Sequence, residues 1–469
     1  MTFDKLESPR EYCGLCGVSG AANPLEAIYL GLHSQQHRGQ EAAGIMVGVE
    51  GDCRLHRDNG LVDDVFHSLP ADWRQAAITH AIGHVRYSTA GGSSVVNAQP
   101  LMADLAGELV GVAHNGTLCN SVWLRRKLQE EGAIFQTSSD TELLLHLLAR
   151  GLRKHHNGDL WNALEAALRE LRGAYSLLLM TRSHWAAIRD PLGFRPLCLG
   201  RFPDGGWMSA SETIAFDVAG ARFEREVEPG EIVVVDGRGN LESRRFAPVK
   251  RRAHCIFEHV YFARPGSYVF GDSVYEARKE MGRQLARECP ADVDLIVPVP
   301  DSGVFAAFGF AEQSGIPLDM GLTRNHYVGR TFIDPGSHVS RGKMATRKLQ
   351  PIGEALRGKR ICLIEDSIVR GSTSRARIRA IRETGAREVH MRVSCPPHRH
   401  GCYFGIDFPQ RESLLANQAE FSEMADILHL DSLGYLSRDG MLGCVKAYRP
   451  QDYCCACFDG DYPVRPEGL

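Results

Sequence analysis

The chain has 469 residues, is 43% hydrophobic and 24% charged, and carries a formal net charge of −3, which leaves room for two or three domains and gives no reason to expect nucleic-acid binding. No apolar run reaches the roughly 18 residues of a membrane helix, and the polar start MTFDKLESPREY lacks an apolar signal core, so the sequence reads as cytoplasmic, with neither a membrane nor a nucleic acid as partner. In that compartment the 14 cysteines are not expected to form a disulfide framework.

In chain order, residues 24–37 set Leu25, Ile28 and Leu32 at helical spacing behind Pro24, which suits a first turn. Residues 76–86 and 109–114 are apolar runs that end in polar motifs, the pattern of strands delivering chemistry at their ends. Helices are predicted over 141–152 and 160–171 and strands over 174–180 and 185–188, and Pro229-Gly230-Glu231 turns into a strand over 232–236. This alternation fits sheets packed between helices. A second half begins near residue 248, with helices over 273–288, 304–314 and 373–384 and strands over 294–300, 359–366 and 388–394. Nearly continuous apolar strands alternating with helices predict a parallel sheet covered on both faces. Residues 333–346, with Pro, two Gly and several basic residues, read as a mobile loop.

Cys13-Gly14 is followed at intervals by His37-Arg38-Gly39-Gln40, Gly83-His84-Val85-Arg86-Tyr87, His114-Asn115-Gly116 and Ser138-Ser139-Asp140. Together these match an amidohydrolase whose nucleophile is its own N-terminal residue. An α-amine titrates near about 7.7–8.0 and a thiol near about 8.5, so an N-terminal cysteine carries a matched base on its own backbone. That requires removal of residues 1–12 as a propeptide. Attack on a carboxamide builds an oxyanion, for which the Asn115 amide and the Gly116 N–H are suited donors. Arg86, helped by Thr89, suits a substrate carboxylate. Asp140 suits an ammonium and also the cap of the helix that follows it. Cys16 lies close by as a second candidate thiol.

In the second half, Ile364-Glu365-Asp366-Ser367-Ile368-Val369-Arg370-Gly371-Ser372-Thr373 is a buried strand, two acids and a small-residue loop opening a helix. Backbone N–H groups from Ser367 to Ser374 suit a ribose 5-phosphate, Gly371 permits the tight turn, and Glu365 and Asp366 suit the ribose hydroxyls. Pro300-Asp301-Ser302 sits at the end of the neighbouring strand, where pyrophosphate and Mg²⁺ would lie. One chain with both halves implies nitrogen cut from glutamine and handed to an activated ribose. Cys454 and Cys457 form a C-x-x-C beside Cys455, and Cys255 and Cys402 lie far upstream. Four such thiolates bind Zn²⁺ or a cubane iron–sulfur cluster, and spacing does not choose between them. Cys198 and Cys362 read as inert core thiols.

These motifs, with residues 32–41, 135–142 and 327–332, resemble the glutamine phosphoribosylpyrophosphate amidotransferases from about Cys13 to Pro463. The resemblance implies an α+β N-terminal-nucleophile glutaminase sandwich over 13–247, then an α/β type I phosphoribosyltransferase domain over 248–469 with a C-terminal cluster-binding tail. It implies catalysis by Cys13, Asn115 and Gly116 and glutamine binding by Arg86, Thr89 and Asp140. Phosphoribosyl pyrophosphate would meet Asp366, Ser367, Arg370, Gly371, Ser372 and Thr373, with Arg330 and Lys348 from a closing loop. Mg²⁺ would sit on Ser302, Glu365 and Asp366, and a [4Fe–4S] cluster on Cys255, Cys402, Cys454 and Cys457. Purine nucleotide inhibitors and a homotetramer are implied too. Two departures stand out: Glu365 where Asp is usual, and Pro335-Gly336-Ser337-His338 where Ser/Thr-Gln is more usual. The rival readings are a paralogue serving another pathway and a non-catalytic regulator that senses phosphoribosyl pyrophosphate; the intact Cys13, Arg86, Asn115 and Asp140 set argues against the regulator.

Overall fold

The computed structural model describes residues 13–87, 94–154, 159–325, 349–406, 408 and 411–465. In the first half, strands whose successive side chains point to opposite faces, the central ones buried on both, build two antiparallel sheets. One has seven strands, in the order Arg222–Glu226, Cys198–Arg201, Trp207–Ala210, Gly14–Ser19, Ile78–Arg86, Ala42–Val49, Asp52–Asn59. The other has six, in the order Leu241–Arg245, Glu231–Asp236, His184–Arg189, Gly173–Met180, Glu108–Leu118, Leu101–Leu105.

Alternate residues of each strand enter different cores. Leu15, Met46, Ile82, Leu178, Trp185 and Val233 fill the space between the sheets. Their neighbours Cys16, Val47 and Val85 turn outward onto Ile28 and Leu32 of helix Pro24–Ser34. On the far side, Leu177, Leu179 and Ile232 meet Leu144 and Leu148 of helix Thr141–Lys154 and Leu164 of helix Leu160–Leu168. Helix, sheet, sheet and helix layers result, the arrangement that hides one face of each helix and both faces of each sheet.

Two elements differ from expectation in ways that matter for the site. The helix from Pro24 ends at Ser34, and Gln36–Arg38 continue as a tight 3-10 turn that buries Arg38 completely. The strand predicted to stop at His114 runs on to Leu118, so Asn115 and Gly116 lie in the ladder opposite Ser176 and Tyr175. Gly116 makes this possible. Its φ is +137°, and a Cβ there would lie 2.2 Å from the Ala174 carbonyl oxygen.

The second half centres on four parallel strands, Leu295–Pro298, Arg360–Glu365, Glu388–Val393 and Ser432–Tyr435, in that spatial order. Helices Val274–Glu288, Val304–Ser314 and Ser372–Glu383 accompany them. Ile296, Val297 and residues 361–364 have no solvent exposure, as strands covered on both faces require. The loops that follow Pro298 and Glu365 leave the carboxyl edge of this sheet, where open α/β sheets bind ligands. Among the described residues, no helix is long and apolar enough to cross a membrane.

Candidate functional site

Cys13 immediately precedes the strand Gly14–Ser19, and Gly14 pairs with Val85. That antiparallel register brings Cys13 beside Arg86, itself only 4% exposed. Gly14 is required by packing: a Cβ there would sit 2.8 Å from Val85 Cγ2 and 3.2 Å from Gln35 Cβ. Cys16 is a different kind of thiol. It is fully buried against helix Pro24–Ser34, and burial pushes its thiol far up, so it offers no accessible nucleophile.

The facing sheet supplies the remaining polar groups. His84 Nε2 lies 3.1 Å from the His114 carbonyl oxygen, tying the two sheets together at this end. Asn115 is buried, and its Nδ2 has no hydrogen-bond partner among the described residues. Asp140 Oδ2 accepts from the Leu118 amide at 3.0 Å, and Oδ1 lies 3.4 Å from His114 Nδ1. Burial raises the Asp140 carboxyl, but the His114 ring and the Leu118 amide outweigh it and hold the group below the usual carboxylate range. A thiol, an unfilled donor, a guanidinium and a carboxylate thus occupy one end of the sandwich. Thr89 lies outside the described residues.

A charge network that the sequence reading did not anticipate joins this end to the second half. Arg38 Nε donates to the Cys13 carbonyl at 3.2 Å. Its two terminal nitrogens reach Glu258 Oε2 and Oε1 at 3.0 and 2.8 Å, and one also reaches Glu212 Oε1 at 2.5 Å. Arg195 Nη1 adds a 3.1 Å bond to Glu258. Arg38, Glu212 and Glu258 side chains have no exposure. Glu212 Oε2 in turn accepts from the Arg264 amide and the Ser267 hydroxyl, both at 2.8 Å. The motif His37–Gln40 was the available signal, but Glu258 stands 220 residues from Arg38 and nothing local connects them.

A cavity of about 710 Å³ opens at the carboxyl edge of the parallel sheet. Ser302, Glu365, Asp366, Ser367, Gly371 and Thr373 line it from the second half, and Gln36, His37 and Gln40 from the first. Asp366 is held by the hydroxyls of Ser302 and, at 2.8 Å, Ser367. Gly371, at φ +77°, turns the loop into the helix that begins at Ser372. Arg370 Nε is buried without a partner among the described residues. Glu365 is ion-paired with Arg377, a residue the sequence reading passed over. Burial drives the Glu365 carboxyl up to about 8; Arg377 pulls against this, and Asp366 adds to it. Serine and carboxylate oxygens grouped in a cavity suit a hard cation. Arg330 and Lys348 lie outside the described residues.

The four cysteines of the sequence reading are neighbours. Cys255 and Cys454 face each other on the parallel pair His254–Cys255 and Tyr453–Cys454. The amides of Arg399 and His400 both donate to the Cys457 carbonyl at 3.1 Å, and Cys402 Sγ accepts from the Phe404 amide at 3.3 Å. Burial, then the neighbouring Cys402, Cys255 and Cys454, push the Cys457 thiol far up. Among the described residues, no group of three or more His, Cys, Asp or Glu side chains is disposed to hold a metal ion. Cys198 and Cys362 are fully buried with raised thiols, as inert core cysteines should be.

A family model described as a glutamine amidotransferase domain matches residues 84–218. The chain is 46% identical over 465 residues to the chloroplastic amidophosphoribosyltransferase of Vigna aconitifolia, covering 99% of this chain and 93% of the relative. It is 44% identical over 460 residues to the amidophosphoribosyltransferase of Archaeoglobus fulgidus, covering 97% and 99%. Against that of Bacillus subtilis it is 41% identical over 465 residues, covering 98% and 96%. Among solved structures, one described as the allosteric regulatory enzyme of purine biosynthesis superposes with a TM-score of 0.89 at 41% identity, covering 97% of this chain and 98% of that one. The glutamine phosphoribosylpyrophosphate amidotransferase of B. subtilis complexed with ADP and GMP gives 0.88 at 40% identity, covering 97% and 99%.

Proposed function

Because the chain belongs to the amidophosphoribosyltransferase family, it makes 5-phosphoribosylamine, glutamate and pyrophosphate from glutamine, water and phosphoribosyl pyrophosphate at the start of purine biosynthesis, and we propose that Cys13 cuts the nitrogen free. Its fold is an α+β N-terminal-nucleophile sandwich followed by an α/β type I phosphoribosyltransferase unit.

Removal of residues 1–12 converts the Cys13 amide nitrogen to an amine, which takes the thiol proton. The sulfur attacks the glutamine carboxamide carbon, and the oxyanion accepts from Asn115 Nδ2 and the Gly116 amide. As the carbon–nitrogen bond breaks, the α-ammonium returns its proton to the leaving nitrogen. Ammonia departs, and water then hydrolyses the thioester to glutamate. Arg86 and Thr89 hold the substrate carboxylate, and Asp140 its ammonium. The observation that carries this reading is the buried Nδ2 of Asn115, unpartnered among the described residues. Buried donors are almost always satisfied, so one left open at the same end of the sandwich as the thiol is suited to an acceptor that arrives with substrate. Cys13→Ala should abolish glutamine-dependent synthesis and spare ammonia-dependent synthesis; retained glutamine use would refute the assignment.

In the second half, the loop residues Asp366, Ser367, Arg370, Gly371, Ser372 and Thr373 take the ribose 5-phosphate end, and Arg330 and Lys348 meet pyrophosphate. Mg²⁺ would be held by Ser302, Glu365 and Asp366, where it would neutralise the charge of the leaving pyrophosphate. Glu365, ion-paired with Arg377, would share its carboxylate between that guanidinium and the ion. Cys255, Cys402, Cys454 and Cys457 would hold a [4Fe–4S] cluster. Burial raises the thiols of Cys255, Cys454 and Cys457, so they would give up their protons to a bound cationic group and not to solvent. The cluster would pin the C-terminal tail to the strand at Cys255, where Cys454 already pairs with it. Iron and sulfide analysis after anaerobic purification tests it.

The unit boundary near 247/248 is supported by the six-stranded sheet ending at Arg245 and the next pairing opening at His254. The ADP and GMP bound by the B. subtilis relative support inhibition by purine nucleotides here. A cytoplasmic homotetramer rests on the family resemblance, and light scattering of the purified enzyme tests the assembly.

A further inference from the structure

His37 belongs to the first half but lines the phosphoribosyl cavity with Asp366, Ser367 and Thr373. Its Nε2 lies 2.7 Å from Glu212 Oε1. Glu212 is an acceptor there: the same carboxylate also receives Arg38, the Arg264 amide and the Ser267 hydroxyl, and although burial raises its carboxyl, Arg38 and the Arg264 amide help to hold it far below the usual range. The hydrogen between His37 and Glu212 therefore rides on Nε2, which leaves Nδ1 of the neutral ring as a basic lone pair. That Nδ1 is buried and has no partner among the described residues.

A second unfilled acceptor sits two residues earlier. Both amide hydrogens of Gln35 are committed, to the Leu15 and Gly31 carbonyls at 3.0 Å each, which fixes the orientation of the amide and leaves Oε1 unpartnered among the described residues. Gln35 packs beside Gly14, next to Cys13. One open acceptor thus lies on the thiol side and one on the cavity side. A small molecule with several N–H donors matches both; water would serve such atoms too, but ammonia is what the reaction sends this way.

We infer that His37 is a catalytic base for phosphoribosylamine formation, an inference that rests on the function proposed above. The nitrogen lone pair forms the bond to the anomeric carbon, and the bond from that carbon to the pyrophosphate oxygen breaks, its electrons leaving with pyrophosphate. The nitrogen, now positively charged, gives one of its three protons to His37 Nδ1. The resulting imidazolium is held through Nε2–H by Glu212, and the proton later passes to solvent. Glu212 acts as a positioning residue: it sets the tautomer and stabilises the charged ring, as a carboxylate behind a histidine does in other acid–base pairs.

The test is His37→Gln in the full-length enzyme. Glutamine keeps an N–H for Glu212 but has no basic atom, so a merely structural role survives the change. Turnover with ammonia and with glutamine should both fall by about a hundredfold, while the KM for phosphoribosyl pyrophosphate stays within about twofold and glutamine hydrolysis persists. Turnover within about threefold of wild type, or loss of glutamine hydrolysis together with synthesis, overturns the inference. If His37→Gln does not fold, His37→Ala supplied with imidazole replaces it: recovered turnover supports the base role, and a folded variant that imidazole does not rescue overturns it. Wild-type enzyme that makes no phosphoribosylamine from either nitrogen source would instead sink the underlying assignment.

Discussion

Glu258→Gln is the most direct probe of how the two halves depend on each other. Glu258 lies wholly out of solvent and receives three charge-assisted hydrogen bonds, two from Arg38 at 3.0 and 2.8 Å and one from Arg195 at 3.1 Å. Glutamine preserves the shape but removes the charge, keeps one acceptor oxygen, and turns an NH₂ toward a guanidinium. Breaking a buried ion pair by removing one partner costs about 3–5 kcal/mol. The retained amide oxygen and the bond from Arg38 to Glu212 put this case at the lower end, about 3 kcal/mol. At roughly 2–4 °C per kcal/mol for units of this size, the melting temperature should drop by about 6–12 °C. Calorimetry near neutral pH measures it. Because Arg38 also holds the Cys13 carbonyl, glutamine-dependent turnover should fall more than ammonia-dependent turnover. A melting shift below about 1 °C, with the two activities unchanged in ratio, would show that the network is energetically neutral and that the reasoning from burial is wrong.

Three further outcomes are expected. Gly116→Ala places a Cβ 2.2 Å from the Ala174 carbonyl oxygen at a φ of +137°; strain of about 1–3 kcal/mol and loss of glutamine use with ammonia use retained are read by urea titration and paired turnover assays. The metal-free folded protein keeps a proton on Glu365 up to about pH 8, whereas an unfolded Glu releases it near about 4.3. Across that window the folded state binds more protons, so this group makes stability fall as pH rises; Glu365→Gln should flatten the slope in urea titrations run with chelator, and an unchanged slope would count against it. Cys457→Ser should lower iron and sulfide content and loosen the tail around Tyr453 and Cys454, seen as faster hydrogen exchange there.

Much of the fold was open to reading from local pattern. Helix Thr141–Lys154 carries a helical period, and strands Gly173–Met180 and Arg360–Glu365 are short continuous apolar runs whose length marks them as buried strands. The fourth parallel strand, Ser432–Tyr435, escaped notice because four residues containing Gly434 carry too little pattern. At the site, Cys13, Arg86, Asn115 and Asp140 could be nominated because each sits in a short motif whose chemistry is local. Arg38 and His37 stood inside a quoted motif without a role, since their partners Glu212 and Glu258 are 174 to 220 residues away.

By itself, then, the chain order determined which residue types stand next to one another: thiol before glycine, acids before a phosphate loop, hydrophobic strands before both. Residues linked by a few bonds meet whatever the rest of the chain does, so such motifs declare their chemistry early. Only the tertiary structure decided that Cys16 is sealed under a helix, that Asn115 keeps a donor unfilled among the described residues, and that His37 of one half lines the same cavity as the loop of the other. Burial and cross-chain pairing depend on the sum of many packing contacts, and no single segment contains that sum.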